Sequence, residues 1–172
     1  CDSPLTDLGV EQAKKLGKEL KNFPFDVCFC STSERAMDTA NYILEGRNIE
    51  IIARKQLKEQ CFGEFEAEKV EDIFKNGVRY PDGYRFCGGE NHSDVIERIF
   101  TELKKIASEY SNANVLIVSH GSAIKHIVNA LCPGFVHEKP NTATLVPNCS
   151  ITRIDYGKEF QLIEKPHLFR GQ

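Results

Sequence analysis

The sequence has no apolar run of membrane-spanning length, no block of basic residues and no repeated cysteine spacing. The first absence argues against a transmembrane segment, and nothing at the start resembles a secretory signal. The second removes the electrostatic footprint of a nucleic-acid binder, since the formal net charge is only −3. The third argues against a disulfide scaffold. The seven cysteines are an odd number scattered among apolar segments, as buried thiols of a reduced, cytoplasmic protein would be. Cys28 and Cys30 form a Cys-x-Cys pair on one face of a strand, but no second pair completes a zinc ligand set, so no metal is expected. Internal repeats, low-complexity segments and linkers are missing as well. What remains is ordinary for a globular chain, with 41% hydrophobic and 27% charged residues. A length of 172 residues suits one domain, spanning 1–172, with a true core.

Strand and helix patterns alternate along the chain. Asp2-Ser3-Pro4-Leu5 is extended, and Thr6 is a candidate N-cap before Val10, Ala13, Leu16, Gly17 and Leu20 on one helical face, with Pro24 ending the helix. Val27 to Cys30 is a short apolar strand. Ser31-Thr32-Ser33 then turns into a second helix marked by Ala36, Met37, Ala40, Ile43 and Leu44 and stopped by Gly46. Ile49 to Ile52 reads as another strand, and residues 67 to 75 as weakly helical. The interval from Gly77 to Gly89 is rich in Gly, Pro and Tyr and is the longest irregular segment, which suits a lid. Val95, Ile96, Ile99, Leu103, Ile106 and Tyr110 form the clearest helical face. Asn148 to Tyr156 and Phe160 to Lys165 read as a terminal hairpin. This alternation predicts an α/β fold, a three-layer sandwich with a mostly parallel central sheet.

Val115 to Leu131 is the stretch around which the chain is built. Val115 to Val118 is a continuous apolar run, predicted to be a strand buried on both faces. After Gly121 the period becomes helical through Ile124, Ile127, Val128 and Leu131. Ser119, His120, Gly121 and Ser122 therefore fill a turn from a strand's carboxyl end into a helix N-terminus, where ligands bind and free N–H groups attract anions. A histidine there suits a phosphate or carboxylate pocket. It also suits a helix cap or a satisfied core residue, and spacing alone leaves these readings open.

Five segments in order resemble the histidine phosphatase superfamily, with its phosphoglycerate mutase-like fold. They are Asp2-Ser3-Pro4-Leu5-Thr6-Asp7-Leu8-Gly9 with Gln12-Ala13; Ser31-Thr32-Ser33-Glu34-Arg35-Ala36 with Thr39-Ala40; Leu57-Lys58-Glu59 ahead of Phe62-Gly63 and Phe65-Glu66; Gly88-Gly89-Glu90 with Asp94-Val95 and Arg98; and Val118-Ser119-His120-Gly121. The resemblance implies phosphoryl transfer through a phosphohistidine, with no metal and no cofactor. Catalysis of that kind is mostly positioning and electrostatic stabilisation. Arg35 then grips phosphate oxygens. His120 donates to the phosphoryl group, best as a protonated imidazole with a carboxylate beside it. Gly121 and Ser122 add backbone donors. Glu59 protonates the departing alkoxide and then activates water, a double role that calls for a carboxyl raised towards neutrality by the apolar flanks Leu57, Cys61 and Phe62. Glu64, Glu66 and Glu68 are taken as solvated surface groups, and Glu90 with Arg98 as a structural ion pair. Asn91, where Ser is commoner in the family, affects a helix cap. His92, His126, His137 and His167 default to surface or core positions.

Family members open with a strand ending in an Arg-His-Gly turn that carries the nucleophile, and no Arg-His-Gly occurs in this sequence. That strand belongs beside Val115. Its loss would strip partners from two neighbours, so the natural protein is expected to have it. The 172 residues alone are expected to bind phosphate weakly and turn nothing over. The leading expectation is a phosphomonoesterase acting on a small phosphorylated metabolite and releasing inorganic phosphate. Tyr80, Tyr84, Arg85 and Phe86 are placed on the leaving-group side. The alternatives are a phosphoglycerate mutase, disfavoured by the short interval between Glu59 and Gly89, and a catalytically inactive phospho-ligand binding module. Neither nucleic acid nor membrane is expected as a partner, and the oligomeric state is left open, a homodimer included.

Overall fold

Val27–Ser31 (β1) is an unbroken run of small and β-branched or aromatic residues, and every one of them is buried. It lies at the centre of a parallel three-stranded sheet in the order β2-β1-β3, where β2 is Ile51–Arg54 and β3 is Val115–Val118. The computed structural model describes residues 2–66, 68, 82–135 and 146–168. The strand pleat sends Val27 and Phe29 to one face and Cys28 and Cys30 to the other. Cys28 and Cys30 pack with Leu16 of helix α1 (Asp7–Glu19), with Leu20 just beyond its end, and with Ala36, Ala40 and Ile43 of helix α2 (Glu34–Ile43). Val27 and Phe29 pack with Val95, Ile99 and Ile106 of helix α3 (His92–Glu109) and with Ala123 and Ile127 of helix α4 (Gly121–Leu131). Helix pair, sheet and helix pair are the predicted three layers.

Several helix boundaries follow from local chemistry. The Thr6 hydroxyl accepts the Gly9 N–H and caps α1. Asp94 reaches back to the Asn91 N–H at the start of α3, so the departure at Asn91 is a cap, as expected. Burial pushes the Cys28 thiol up to about 12, with Cys30 adding to the effect, and this pair packs as small hydrophobes.

The structure corrects three expectations. β3 is mostly half-buried rather than covered on both faces, because among the described residues β1 is its only strand neighbour. β1 has that central position instead. α1 ends at Glu19, with Leu20 as its cap, before Pro24 is reached. The strand expected over Ile49 to Ile52 runs over Ile51–Arg54, in register with Cys28 to Ser31. The hairpin is present as β4 (Ser150–Tyr156) and β5 (Phe160–Leu168), a separate antiparallel pair. The helical reading of residues 67 to 75 lies, Glu68 apart, outside the described residues, as does most of the suggested lid. Among the described residues no helix is long and apolar enough to cross a membrane.

Candidate active site

The strands of the sheet run parallel, so the turns after β1, β2 and β3 all open at one edge. α2, which follows β1, packs on one face of the sheet, whereas α4, which follows the adjacent β3, packs on the other. Where consecutive crossovers diverge in this way, a crevice is left at the carboxyl ends of the strands. Ser31, Arg35, Glu59, His120, Gly121 and Ser122 all come from segments that open there.

His120 is 94% buried, and its Nε2 lies 2.8 Å from the Oγ of Ser31, the last residue of β1. Its backbone occupies the N-cap position of α4 but its side chain makes no capping bond, which removes the helix-cap reading. With Nε2 engaged by Ser31, Nδ1 is the ring nitrogen left to meet a ligand. The imidazole is not the protonated donor expected. Burial first, and then the charge of Arg35, push its pKa down to about 4. A carboxylate neighbour is present in Asp2 and acts in the opposite direction, but it is outweighed.

Arg35 sits in the first turn of α2. Its Nη1 lies 3.4 Å from Asp2 Oδ1, while Asp2 Oδ2 accepts the Glu34 N–H at 3.0 Å. A carboxylate thus bridges the helix N-terminus and the guanidinium, the two kinds of donor a phosphate would use. The positive charge of Arg35, on the turn after the adjacent strand, is felt at His120 and disfavours its protonation.

Glu59 is positioned differently from expectation. Its Oε1 accepts the N–H groups of Gln60 and Ala123, both at 2.9 Å, and its Oε2 accepts the Ser122 N–H at 3.1 Å. The environment is polar rather than apolar, because Leu57 turns wholly into the core and Cys61 is exposed. The Ser122 N–H, expected to serve a ligand, is therefore taken by Glu59. Gly121 stands open at the helix start, and a Cβ there would meet nothing within 4 Å.

Several neighbours escaped notice in the sequence. Ser31 looked like a turn residue, and only its position at the end of β1 brings it to His120. Glu66 is exposed, as expected of a surface group, and its Oε1 accepts the Phe62 N–H at 2.9 Å. Lys125, half-buried on α4, is pulled down by burial and partly restored by Glu59. His126 is a core residue, as its default reading held. Its Nε2 bonds Gln60 Oε1 at 3.0 Å, its ring stacks on His92 at 4.3 Å, and burial pushes it down to about 3. Glu90 and Arg98 do form an ion pair, at 2.7 Å. Tyr84 is buried between Phe62 and Phe65, Phe86 is exposed beside Phe65, and Arg85 pairs with Asp94. His167 is on the surface hairpin beside Glu164. Tyr80 and His137 lie outside the described residues. Among those described, no group of three His, Cys, Asp or Glu side chains could hold a metal ion.

The sequence profile of the histidine phosphatase superfamily (branch 1) matches residues 1–167. The chain belongs to that family. It is 30% identical to an uncharacterized phosphatase, PhoE, of Bacillus subtilis, over 92% of this chain and 78% of that protein. It superposes on YhfR of Bacillus stearothermophilus with a TM-score of 0.81 at 28% identity, covering 95% of this chain and 84% of that one. A phosphoglycerate mutase of Bacillus anthracis gives 0.80 at 30% identity, covering 95% and 82%. The chain spans 65% to 78% of the length of the curated relatives it matches. Within this histidine phosphatase chain, the phosphoglycerate mutase-like fold is as predicted.

Proposed function

We propose that the full-length protein is a phosphatase of this superfamily that hydrolyses a small phosphomonoester through a phosphohistidine, without a metal. What supports this reading is that Glu59 is anchored on the first N–H groups of α4, directly after His120, whose ring is bonded to Ser31 at the end of the adjacent strand. The family's phosphoryl acceptor is the histidine of an Arg-His-Gly turn, which none of the 172 residues supplies. The side chains of these residues build the pocket around that acceptor.

Arg35 and the N-terminus of α2 take the phosphoryl oxygens in place of the Asp2 carboxylate. His120, held through Nε2 by Ser31, donates from Nδ1–H as a neutral ring, a tautomer that the Ser31 hydroxyl fixes by donating to Nε2. These contacts strengthen as charge spreads over the transferring group. Glu59 gives a proton to the departing alkoxide as the P–O bond breaks. Its Oε2 accepts one N–H against two for Oε1, which leaves it room for that proton. The carboxylate left behind, steadied by the same N–H groups, then takes a proton from the water that attacks phosphorus as the P–N bond of the phosphohistidine breaks and its electron pair returns to the imidazole. Inorganic phosphate leaves and the acid is restored. The described cysteines, all free thiols, support a reducing compartment, and we place the protein in the cytoplasm.

The test is hydrolysis of p-nitrophenyl phosphate by the full-length protein in the presence of a chelator. Steady release of phosphate without a bisphosphorylated primer is the expected result. A requirement for primer makes it a mutase, and phosphate binding without turnover leaves a binding module. Glu59→Gln should lower kcat/KM for alkyl phosphates about 10²-fold and for aryl phosphates far less, since an alkoxide needs the proton more. Equal loss on both would undercut the acid.

A further inference from the structure

Glu59 reaches the crevice from a segment that belongs to no strand or α-helix, yet that segment is gripped along its length by two side chains of one neighbourhood. Arg98 on α3 donates from Nη1 to the carbonyls of Gln56 (2.6 Å) and Lys58 (2.9 Å), and from Nη2 to the carbonyl of Glu59 itself (3.1 Å). The same guanidinium meets Glu90 as a fork, Nε to Oε1 at 2.7 Å and Nη2 to Oε2 at 2.9 Å. Glu90 then holds the far side. Its Oε2 accepts the Cys61 N–H at 2.9 Å, its N–H donates to the Cys61 carbonyl at 2.8 Å, and its carbonyl accepts Gln60 Nε2 at 3.0 Å. Gln56, Lys58, Glu59, Gln60 and Cys61 are thus each bonded to Arg98 or Glu90.

Close backbone approach makes this geometry reachable. Gly63 has φ of 61° and lies so near the Cys87 carbonyl that a Cβ would collide with it, which brings residues 61–63 alongside 87–90. An ion pair kept only for stability would contribute little at this partial exposure. A planar fork that satisfies three carbonyls at once restrains a backbone that has no ladder of its own.

We propose that Arg98 and Glu90 are positioning residues for Glu59. They fix the backbone of 56–61 so that the Glu59 carboxyl falls within reach of the Ser122 and Ala123 N–H groups and faces the leaving group. The catalytic half of this inference rests on Glu59 being the proton donor.

Arg98→Lys in the full-length protein keeps the charge but loses the fork. It should lower kcat/KM for an alkyl phosphate about 10²-fold, the cost of an ångström of misplacement. For p-nitrophenyl phosphate the loss should stay within about threefold, since that leaving group needs no proton. Because kcat/KM covers only the steps through departure of the leaving group, the later base role does not enter. The Ser122 and Ala123 amides should also exchange hydrogen faster, having lost a steady acceptor. Glu90→Gln, the milder change, should give the same pattern with smaller losses. In folded variants, unchanged exchange at both amides overturns the positioning role, and equal losses on both esters, or none, overturn its catalytic consequence. Glu59→Gln measured in parallel separates the two ideas. If it spares the alkyl ester the acid reading fails, and amide exchange alone then decides whether Arg98 and Glu90 position Glu59.

Discussion

The N-termini of α2 and α4 lie at the same sheet edge, and each holds a carboxylate brought from elsewhere in the chain. At α2 the occupant is Asp2, which accepts one N–H at 3.0 Å and a guanidinium at 3.4 Å and stays 44% exposed. At α4 the occupant is Glu59, which takes the N–H groups of Ser122 and Ala123 at 3.1 and 2.9 Å and a third from Gln60. The same backbone feature therefore serves two ends. In the proposed mechanism the lightly held site exchanges its carboxylate for a phosphate, whereas the firmly held one anchors the acid. A helix dipole attracts anions at both, and the surrounding bonds decide which anion stays.

The sharpest way to break this comparison is to remove the side chains that face the exchangeable site. Arg35→Ala and His120→Ala in the full-length protein should each lower kcat about 10²–10³-fold, the usual loss for a donor to developing charge. Asp2→Ala should cost less than about tenfold, since Asp2 vacates the site when substrate enters. A larger loss at Asp2 than at Arg35, measured on p-nitrophenyl phosphate, would reverse the assignment of the α2 site.

Acid titration sharpens the contrast between the two buried histidines. His120 and His126 have folded values of about 4 and about 3, below the ordinary 6.5. The unfolded chain thus binds their protons first as acid is added. The stability gained by keeping both rings neutral is complete above pH 6.5 and is lost as pH falls towards 4 and then 3. Each ring should contribute about 1 kcal/mol per pH unit within its window, read from denaturant melts. Arg35→Ala should raise the value of His120 towards normal and leave that of His126 in place, because Arg35 acts only on the first. Imidazole NMR titration checks this.

The smallest effect belongs to a third helix start. α1 is capped by its own neighbour, Thr6, and Thr6→Ala should cost about 1 kcal/mol, or roughly 2–4 °C in Tm. It should leave kcat unchanged, since that N-terminus holds no ligand. A loss of activity matching that of Arg35→Ala would erase the distinction between local caps and functional ones.

Much of this architecture was legible because it is local. The apolar run of β1, the helical periods of α2, α3 and α4 and the caps at Thr6 and Asn91 are properties of neighbouring residues. His120 could be singled out from its strand-to-helix turn, and Arg35 and Glu59 because their segments resemble, in order, those of the histidine phosphatase superfamily. Ser31 could not, since nothing near it in the chain says that it will meet His120. The reading of Glu59 failed in a related way. Apolar flanks suggested an apolar setting, but Leu57 turns into the core while the carboxyl points to the start of α4.

By itself, then, the amino-acid order determined the layers, the family and the residue types at the crevice, because hydrophobic period and turn chemistry act over a few residues. Tertiary structure alone decided that His120 is neutral, that Glu59 rests on N–H donors and that Arg98 with Glu90 grips its backbone. Desolvation and hydrogen-bond partners are set by groups that meet only after the chain has folded.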